Sequence, residues 1–397
     1  MSPAVAPKVL VIGGGTMGLA SAWALARRGY AVELFEQFGH VHDRGSHGGY
    51  TRIIRHAYHE GSDYVGLVSR ADREWVGLGE RVGETLLVRC GLLEFGPAED
   101  PEFVAARAAL REHAIAHELL EPRAAQARFG FTLPDQDDWL ACFSPDSGYL
   151  RVVACLDALR REAEQAGARL RHATEVRELD LSDARPTVCL ASGERVAGDH
   201  VVVAAGAWTE RLLGPTHALG LETTVLRRVL AWSRPPEPAR PALRGLPVWA
   251  AFLPEGFFYG FPDADEGVSG FKLACHVAHG GDHQAASLVP VDPDAVDREV
   301  HAADLEPLRQ FLARHRPDAG PIVESSVCLY TNTPSGDFWL DHHPEDERVV
   351  VAAGFSGHGF KFTPAIGLAV ADLIEQGHSE LQLPRFRRPA HSAQAGR

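Results

Sequence analysis

The chain has 397 residues, 45% hydrophobic and 23% charged, the proportions of an ordinary globular enzyme long enough to bury a sizeable core in two domains or one composite unit. Asp+Glu 53 outnumber Lys+Arg 39, and the net charge of −14 argues against a general nucleic-acid surface. No apolar run reaches the roughly 18 residues of a membrane helix. Residues 1–7 lack the cationic start of a secretory leader, and six scattered cysteines without a C-x-x-C pair point to reduced thiols in a cytoplasm.

Residues 9–12 form an apolar run short enough for a buried parallel strand. Gly13-Gly14-Gly15-Thr16-Met17-Gly18 follows, then an Ala-rich helix over 16–28 closed by Gly29, then a strand over 32–35 that ends in Glu36. The glycine run alone is a weak signal; strand, turn, helix, strand and acid in this order identify a dinucleotide-binding unit. In such a unit Gly13 permits the tight turn, Gly15 lets backbone approach a pyrophosphate, Gly18 lets helix pack on strand, and Glu36 stands where a ribose-binding carboxylate belongs.

Residues 37–61 are polar, rich in Gly and His, and too irregular for a regular element. Helices are expected over 63–79, 101–118, 151–167, 297–316 and 363–376. The last has Thr363 as N-cap, Pro364 in its first turn and Gly377 after its end. Residues 169–206 alternate like a β-meander ending in a second buried strand, 219–275 carries strand signals broken by Pro and Gly, and strands are expected over 321–330 and 349–355. The expected fold class is α/β (α+β). A Rossmann-like dinucleotide-binding domain from 1–85, 151–218 and 322–385 interleaves with an antiparallel-sheet substrate domain from 86–150 and 219–321. Residues 386–397 read as a loose tail.

The only lysines are Lys8, Lys272 and Lys361, so 36 of the 39 cations are arginine. Where a generic cation has been arginine almost everywhere, a remaining lysine is a candidate for work that needs a compact ammonium able to lose its proton. Four segments stand out. They are Gly45-Ser46-His47-Gly48-Gly49-Tyr50-Thr51-Arg52-Ile53-Ile54-Arg55-His56-Ala57-Tyr58, Phe271-Lys272-Leu273-Ala274-Cys275-His276, and Val327-Cys328-Leu329-Tyr330-Thr331 with the later Gly354-Phe355-Ser356-Gly357-His358-Gly359-Phe360-Lys361-Phe362. Together, in order and over nearly the whole chain, they resemble the monomeric sarcosine oxidase and N-methyltryptophan oxidase family, flavin amine oxidases of the D-amino-acid-oxidase superfamily.

The resemblance implies that the nucleotide domain binds FAD, joined covalently through a thioether to Cys328. A thiolate is a good nucleophile for such a bond. It also implies that Arg52 and Lys361 bind the substrate carboxylate, Lys361 lying close to the flavin as well. By the same resemblance Lys272 stabilises charge on O2 as it is reduced, and His276 and Tyr259 line the substrate pocket. Ser46 and Arg55 are expected at the FAD phosphates and Val176 at the adenine. The implied reaction is oxidation of a secondary (N-methyl or cyclic) amino acid to an imine, with O2 reduced to H2O2, by a monomer that needs no metal. The alternatives are an imine-forming oxidase of a cyclic amino acid (pipecolate or proline type) or of a biosynthetic intermediate, and a dehydrogenase using another acceptor. An NAD enzyme resting on the glycine motif alone is a more distant rival. Gly48 stands where the family has a second histidine and Tyr50 where an acid is common, which points to a substrate larger than sarcosine.

Overall fold

Lys8–Ile12 carries four consecutive buried apolar residues, the mark of a strand covered on both faces. In the computed structural model, which describes residues 6–387 apart from 135, 137, 215 and 216, it lies inside a six-stranded sheet. The order is Trp339–His343, Asp346–Ala353, His200–Val203, Lys8–Ile12, Ala31–Phe35, Arg169–Arg171. Every pairing is parallel except the first, which is antiparallel. Helices Thr16–Arg27 and Thr363–Gln376 pack against each other, so tightly that a Cβ on Gly367 would meet the Ala20 carbonyl. The small sheet Val176–Asp180, Thr187–Leu190, Arg195–Ala197 shares a core with Leu10, Ile12 and Val201 on the opposite face.

A second sheet has eight strands among the described residues: Ile322–Asn332, Thr224–Ser233, Phe271–Ala278, Gly256–Phe261, Val248–Leu253, Leu92–Pro97, Trp139–Ser144 and Glu118–Leu120. It is antiparallel throughout except where Val248–Leu253 runs parallel to Leu92–Pro97. One face, with Leu93, Phe95, Trp249 and Phe258, packs on helix Ala302–His315, where Trp249 stacks on Phe311 at 4.8 Å. The other face, with Leu92, Ala250, Phe252, Phe257 and partly buried Tyr259, turns towards Ala57 and Tyr149. The chain passes to and fro between the sheets, as the interleaved α/β (α+β) reading expects.

Several elements differ from the sequence reading. Ile322–Asn332, expected in the nucleotide domain, is hydrogen-bonded into the eight-stranded sheet beside Thr224–Ser233. The supposedly irregular stretch contains the strand Thr51–Ile54, paired with Gly148–Arg151. The helix from Pro101 ends at Glu112, and Glu118–Leu120 is an edge strand. The helix expected from 297 begins at Ala302, where His301 and Asp304 form a reciprocal cap. Arg169–Arg171 leaves the meander to pair in parallel with Ala31–Phe35. Thr363 is the first helical residue and not the cap, its hydroxyl donating to the Phe360 carbonyl. The expected tail begins with Phe386, which is fully buried, and 388–397 lie outside the described residues. No described helix is long and apolar enough to cross a membrane.

Candidate active site

At the C-terminal end of Lys8–Ile12 the chain turns through Gly13 at φ +102°, where a Cβ would strike the Ala204 carbonyl. A Cβ on Gly18 would strike the Gly13 carbonyl, whereas above Gly15 the nearest atom is His47 Nδ1 at 4.0 Å. The turn is thus closed on two sides and open on the third. Helix Thr16–Arg27 has no side-chain cap and no acid in its first turn, leaving its N–H groups for an anion. Glu36 accepts from Gly14 N and Phe38 N, both at 2.7 Å, which braces the turn.

A cavity of about 500 Å³ opens here, lined by Gly13, Gly15, Glu36, Ser46, Arg52 and Val176 together with His47, Trp208, Tyr330 and Gly357. His47 is buried, its Nε2 has no protein partner, and burial followed by the charges of His42 and Arg52 takes its pKa down to about 3. The glycine turn, the free helix start and this orphaned nitrogen fit FAD. Gly18 does not line this cavity; it serves the packing expected of it.

Arg52 is half-buried at the cavity wall and donates to the carbonyls of Thr51 and Ser46, both at 2.8 Å. Cys328 is buried among Leu226, Leu230, Trp232, Ala274 and Tyr330. Burial raises its thiol pKa while Arg52 and Lys272 pull it back. Lys272, fully enclosed, spreads three ammonium protons over three acceptors, Gly49 O (2.6 Å), Thr51 Oγ1 (2.9 Å) and Thr51 O (3.0 Å), and lies 4.4 Å above the Phe261 ring. Burial, then Arg52, holds its pKa well below that of a free lysine.

A second cluster lies where Thr51–Ile54 ends. Arg55 Nη2 donates to both Glu60 oxygens (2.7 and 2.9 Å) and Nη1 to the Ala57 carbonyl (2.6 Å). The Arg55 guanidinium lies 4.6 Å from the Tyr58 ring centre and Lys361 Nζ 5.2 Å from the same centre, so two buried cations share one ring. Lys361 Nζ donates to the His358 carbonyl at 2.7 Å. Burial, then the Arg55 charge, lowers its pKa to about 7, with Glu60 opposing. Burial works against ionisation of Glu60, but Arg55 outweighs it and holds that carboxyl well below its usual range.

This arrangement corrects two expectations. The cation beside Lys361 is Arg55, not Arg52, and Arg55 is not at the phosphate cavity. The two arginines are three residues apart, and the bend after Ile54 sends them to different places. Tyr259 packs in one cluster with Tyr330, and His276 Nδ1 lies 3.1 Å from Tyr330 Oη. Phe257 pairs with Val277 and Phe258 with Cys275, so His276 is the extra residue of a β-bulge, a device that re-aims a side chain. Burial, then Arg228, lowers its pKa to about 3, so the ring is neutral. Sequence reasoning missed Tyr58, Glu60, His47 and Tyr330; for Tyr58 the signal was the Arg55-His56-Ala57-Tyr58 run itself.

The chain is 36% identical to monomeric sarcosine oxidase from Bacillus sp. (strain B-0618), with 96% of each chain covered. It is 32% identical to N-methyl-L-tryptophan oxidase from Yersinia pestis (strain Pestoides F), over 95% of this chain and 97% of that one. Among solved structures it matches NikD, an unusual amino acid oxidase essential for nikkomycin biosynthesis, with TM-score 0.82, 26% identity and coverage of 96% and 97%. Glycine oxidase from Geobacillus kaustophilus shares the fold at TM-score 0.78 and 24% identity, covering 97% and 99%. The FAD dependent oxidoreductase family model matches residues 8–373, and the chain belongs to that family.

Proposed function

We propose that this protein is an FAD-dependent oxidase that converts a secondary amino acid, N-methyl or cyclic, to its imine and passes the electrons to O2, forming H2O2. The observation that carries the reading is the pair of buried cations, Arg55 and Lys361, within 4.6 and 5.2 Å of the Tyr58 ring centre, together with the cluster of Tyr259, Tyr330 and neutral His276. The relatives named sarcosine oxidase and N-methyl-L-tryptophan oxidase support it.

Bound FAD supplies the two-electron acceptor. The glycine turn, Glu36, Ser46 and Val176 would hold it, and Cys328 is our candidate for a covalent tether; burial raises its thiol pKa, with Arg52 and Lys272 opposing. The substrate carboxylate competes with Glu60 for the Arg55 fork and takes a second contact from Lys361. Two cations beside the bound amine disfavour its ammonium form, so the neutral amine is the one held ready. None of the three groups of the Tyr259 cluster is an ionised base: His276 is neutral, and burial holds the Tyr259 and Tyr330 hydroxyls protonated. Lys272, apart from this pair, is our candidate for stabilising charge on O2. We read the protein as a cytoplasmic monomer.

The test is twofold. Acid precipitation should leave yellow colour in the pellet, and a panel of N-methyl and cyclic amino acids should yield peroxide. A colourless protein, or no peroxide from any member, would overturn the reading.

A further inference from the structure

Five carboxylates are buried to below a tenth exposure among the described residues: Glu33, Glu36, Asp72, Glu94 and Asp263. Four have protein partners. Glu33 meets Lys8 and Arg171, Glu36 two backbone N–H groups, Asp72 Arg89, and Asp263 Arg240 and Gly270 N. Glu94 is 1% exposed and neither of its oxygens has a hydrogen-bond partner. A buried carboxyl left without partners is costly, and a strand in this position would be better served by an apolar residue.

The location tells what it is for. Cys142, Glu94, Ala250 and Tyr259 are paired in one row across four adjacent strands, so their side chains project from one face of the sheet. That face also carries Tyr259, which packs in one cluster with Tyr330. Glu94 stands two strand spacings from Tyr259, about 10 Å, and the residue between them is the small Ala250. The ionic groups that act on Glu94 are Arg55 and Glu60, those of the carboxylate-binding cluster. Burial pushes its own pKa up to about 7, with Arg55 pulling down and Glu60 adding to the rise.

We infer that Glu94 reads the far end of the substrate, and that the chamber takes an N-alkyl amino acid whose side chain, of lysine or arginine length, ends in a cationic nitrogen with at least two N–H donors. Such a group satisfies both vacant oxygens at once, while the α-carboxylate rests on Arg55 and Lys361 at the other end. This assignment rests on the proposed amine-oxidase function and deepens it: Glu94 sets specificity and takes no part in the electron transfer.

The test compares Nα-methyl-L-lysine with Nα-methyl-L-norleucine, the same chain without the charge, on holoenzyme carrying the wild-type residue, Glu94→Gln or Glu94→Leu. In the wild type, anaerobic flavin reduction should favour the lysine derivative at least about tenfold in kcat/KM, mostly through KM, the size of one charge-assisted contact. Glu94→Leu should abolish or invert the preference while keeping the norleucine derivative active, and Glu94→Gln should fall between. Independently of turnover, the lysine derivative should raise the melting temperature of the wild type and not that of Glu94→Leu. Ligand-free Glu94→Leu should melt above the wild type. Equal handling of the two substrates by the wild type, a preference that survives Glu94→Leu, or a lower melting temperature for that variant would each overturn the inference. Failure of every N-alkyl and cyclic amino acid to reduce the flavin would instead sink the underlying function, and the melting measurements would still judge Glu94.

Discussion

Arg55→Lys separates charge from shape at the substrate carboxylate. The guanidinium now serves both oxygens of Glu60 and the Ala57 carbonyl from above the Tyr58 ring. A lysine keeps the positive charge, so Glu60 is spared the fate of an unpaired buried carboxylate, a loss of about 3–5 kcal/mol. What disappears is the fork, and with it one charge-assisted hydrogen bond of about 1.5–3 kcal/mol. At about 1.4 kcal/mol per factor of ten, the substrate Kd should rise about 10- to 150-fold. The assay is rapid anaerobic mixing with flavin absorbance followed against substrate concentration. Arg52→Lys is the comparison. Arg52 is half-buried and bonded only to the Ser46 and Thr51 carbonyls, so its replacement should change Kd by less than about fivefold. A secondary amine without a carboxylate should be indifferent to Arg55→Lys. If Arg52→Lys weakened binding more than Arg55→Lys did, or the amine control suffered equally, the pairing of Arg55 with Lys361 would be wrong.

Three further outcomes follow from the same geometry. Lys272→Met should slow reoxidation by air about 100-fold or more, measured as oxygen uptake after anaerobic reduction, with substrate reduction less affected; Lys272→Arg should also be slow, because a fork cannot repeat the three contacts to Gly49 and Thr51. Lys361 titrates near 7, so a carboxylate lacking an amine, such as propionate, should bind progressively more weakly as pH rises through about 7, and Lys361→Met should flatten that profile in a spectral titration. Glu94 has its folded pKa raised from 4.5 to about 7, so the native state holds a proton that the unfolded chain has lost across that window. Wild-type stability through this group therefore falls as pH rises from 4.5 to about 7, and the advantage of Glu94→Leu in denaturant unfolding should grow over the same interval.

What was legible in the chain was local. The glycine turn, its helix and Glu36 follow from conformational rules that act within a few residues, and Lys272 and Lys361 stood out because lysine is so scarce here. What was not legible depends on tertiary placement. Arg52 and Arg55 have the same chemistry, and only the bend after Ile54 decides which one meets Lys361. Ile322–Asn332 is apolar enough for either sheet, and its ten-residue partner Thr224–Ser233, invisible from 100 residues away, claims it. Glu94 interrupts an apolar strand as an exposed acid would, and only the sheet register reveals that it points into the enclosed face. The early start expected for helix Ala302–His315 failed because the His301–Asp304 cap overrides a polar stretch of acceptable helix propensity.

The most direct test of the central claim is to mix the purified holoprotein with an N-methyl amino acid in the absence of air. The account predicts that the yellow absorbance bleaches, and that admitting air restores it with release of one equivalent of peroxide. Flavin that stays oxidised with every N-methyl and cyclic amino acid offered would contradict it.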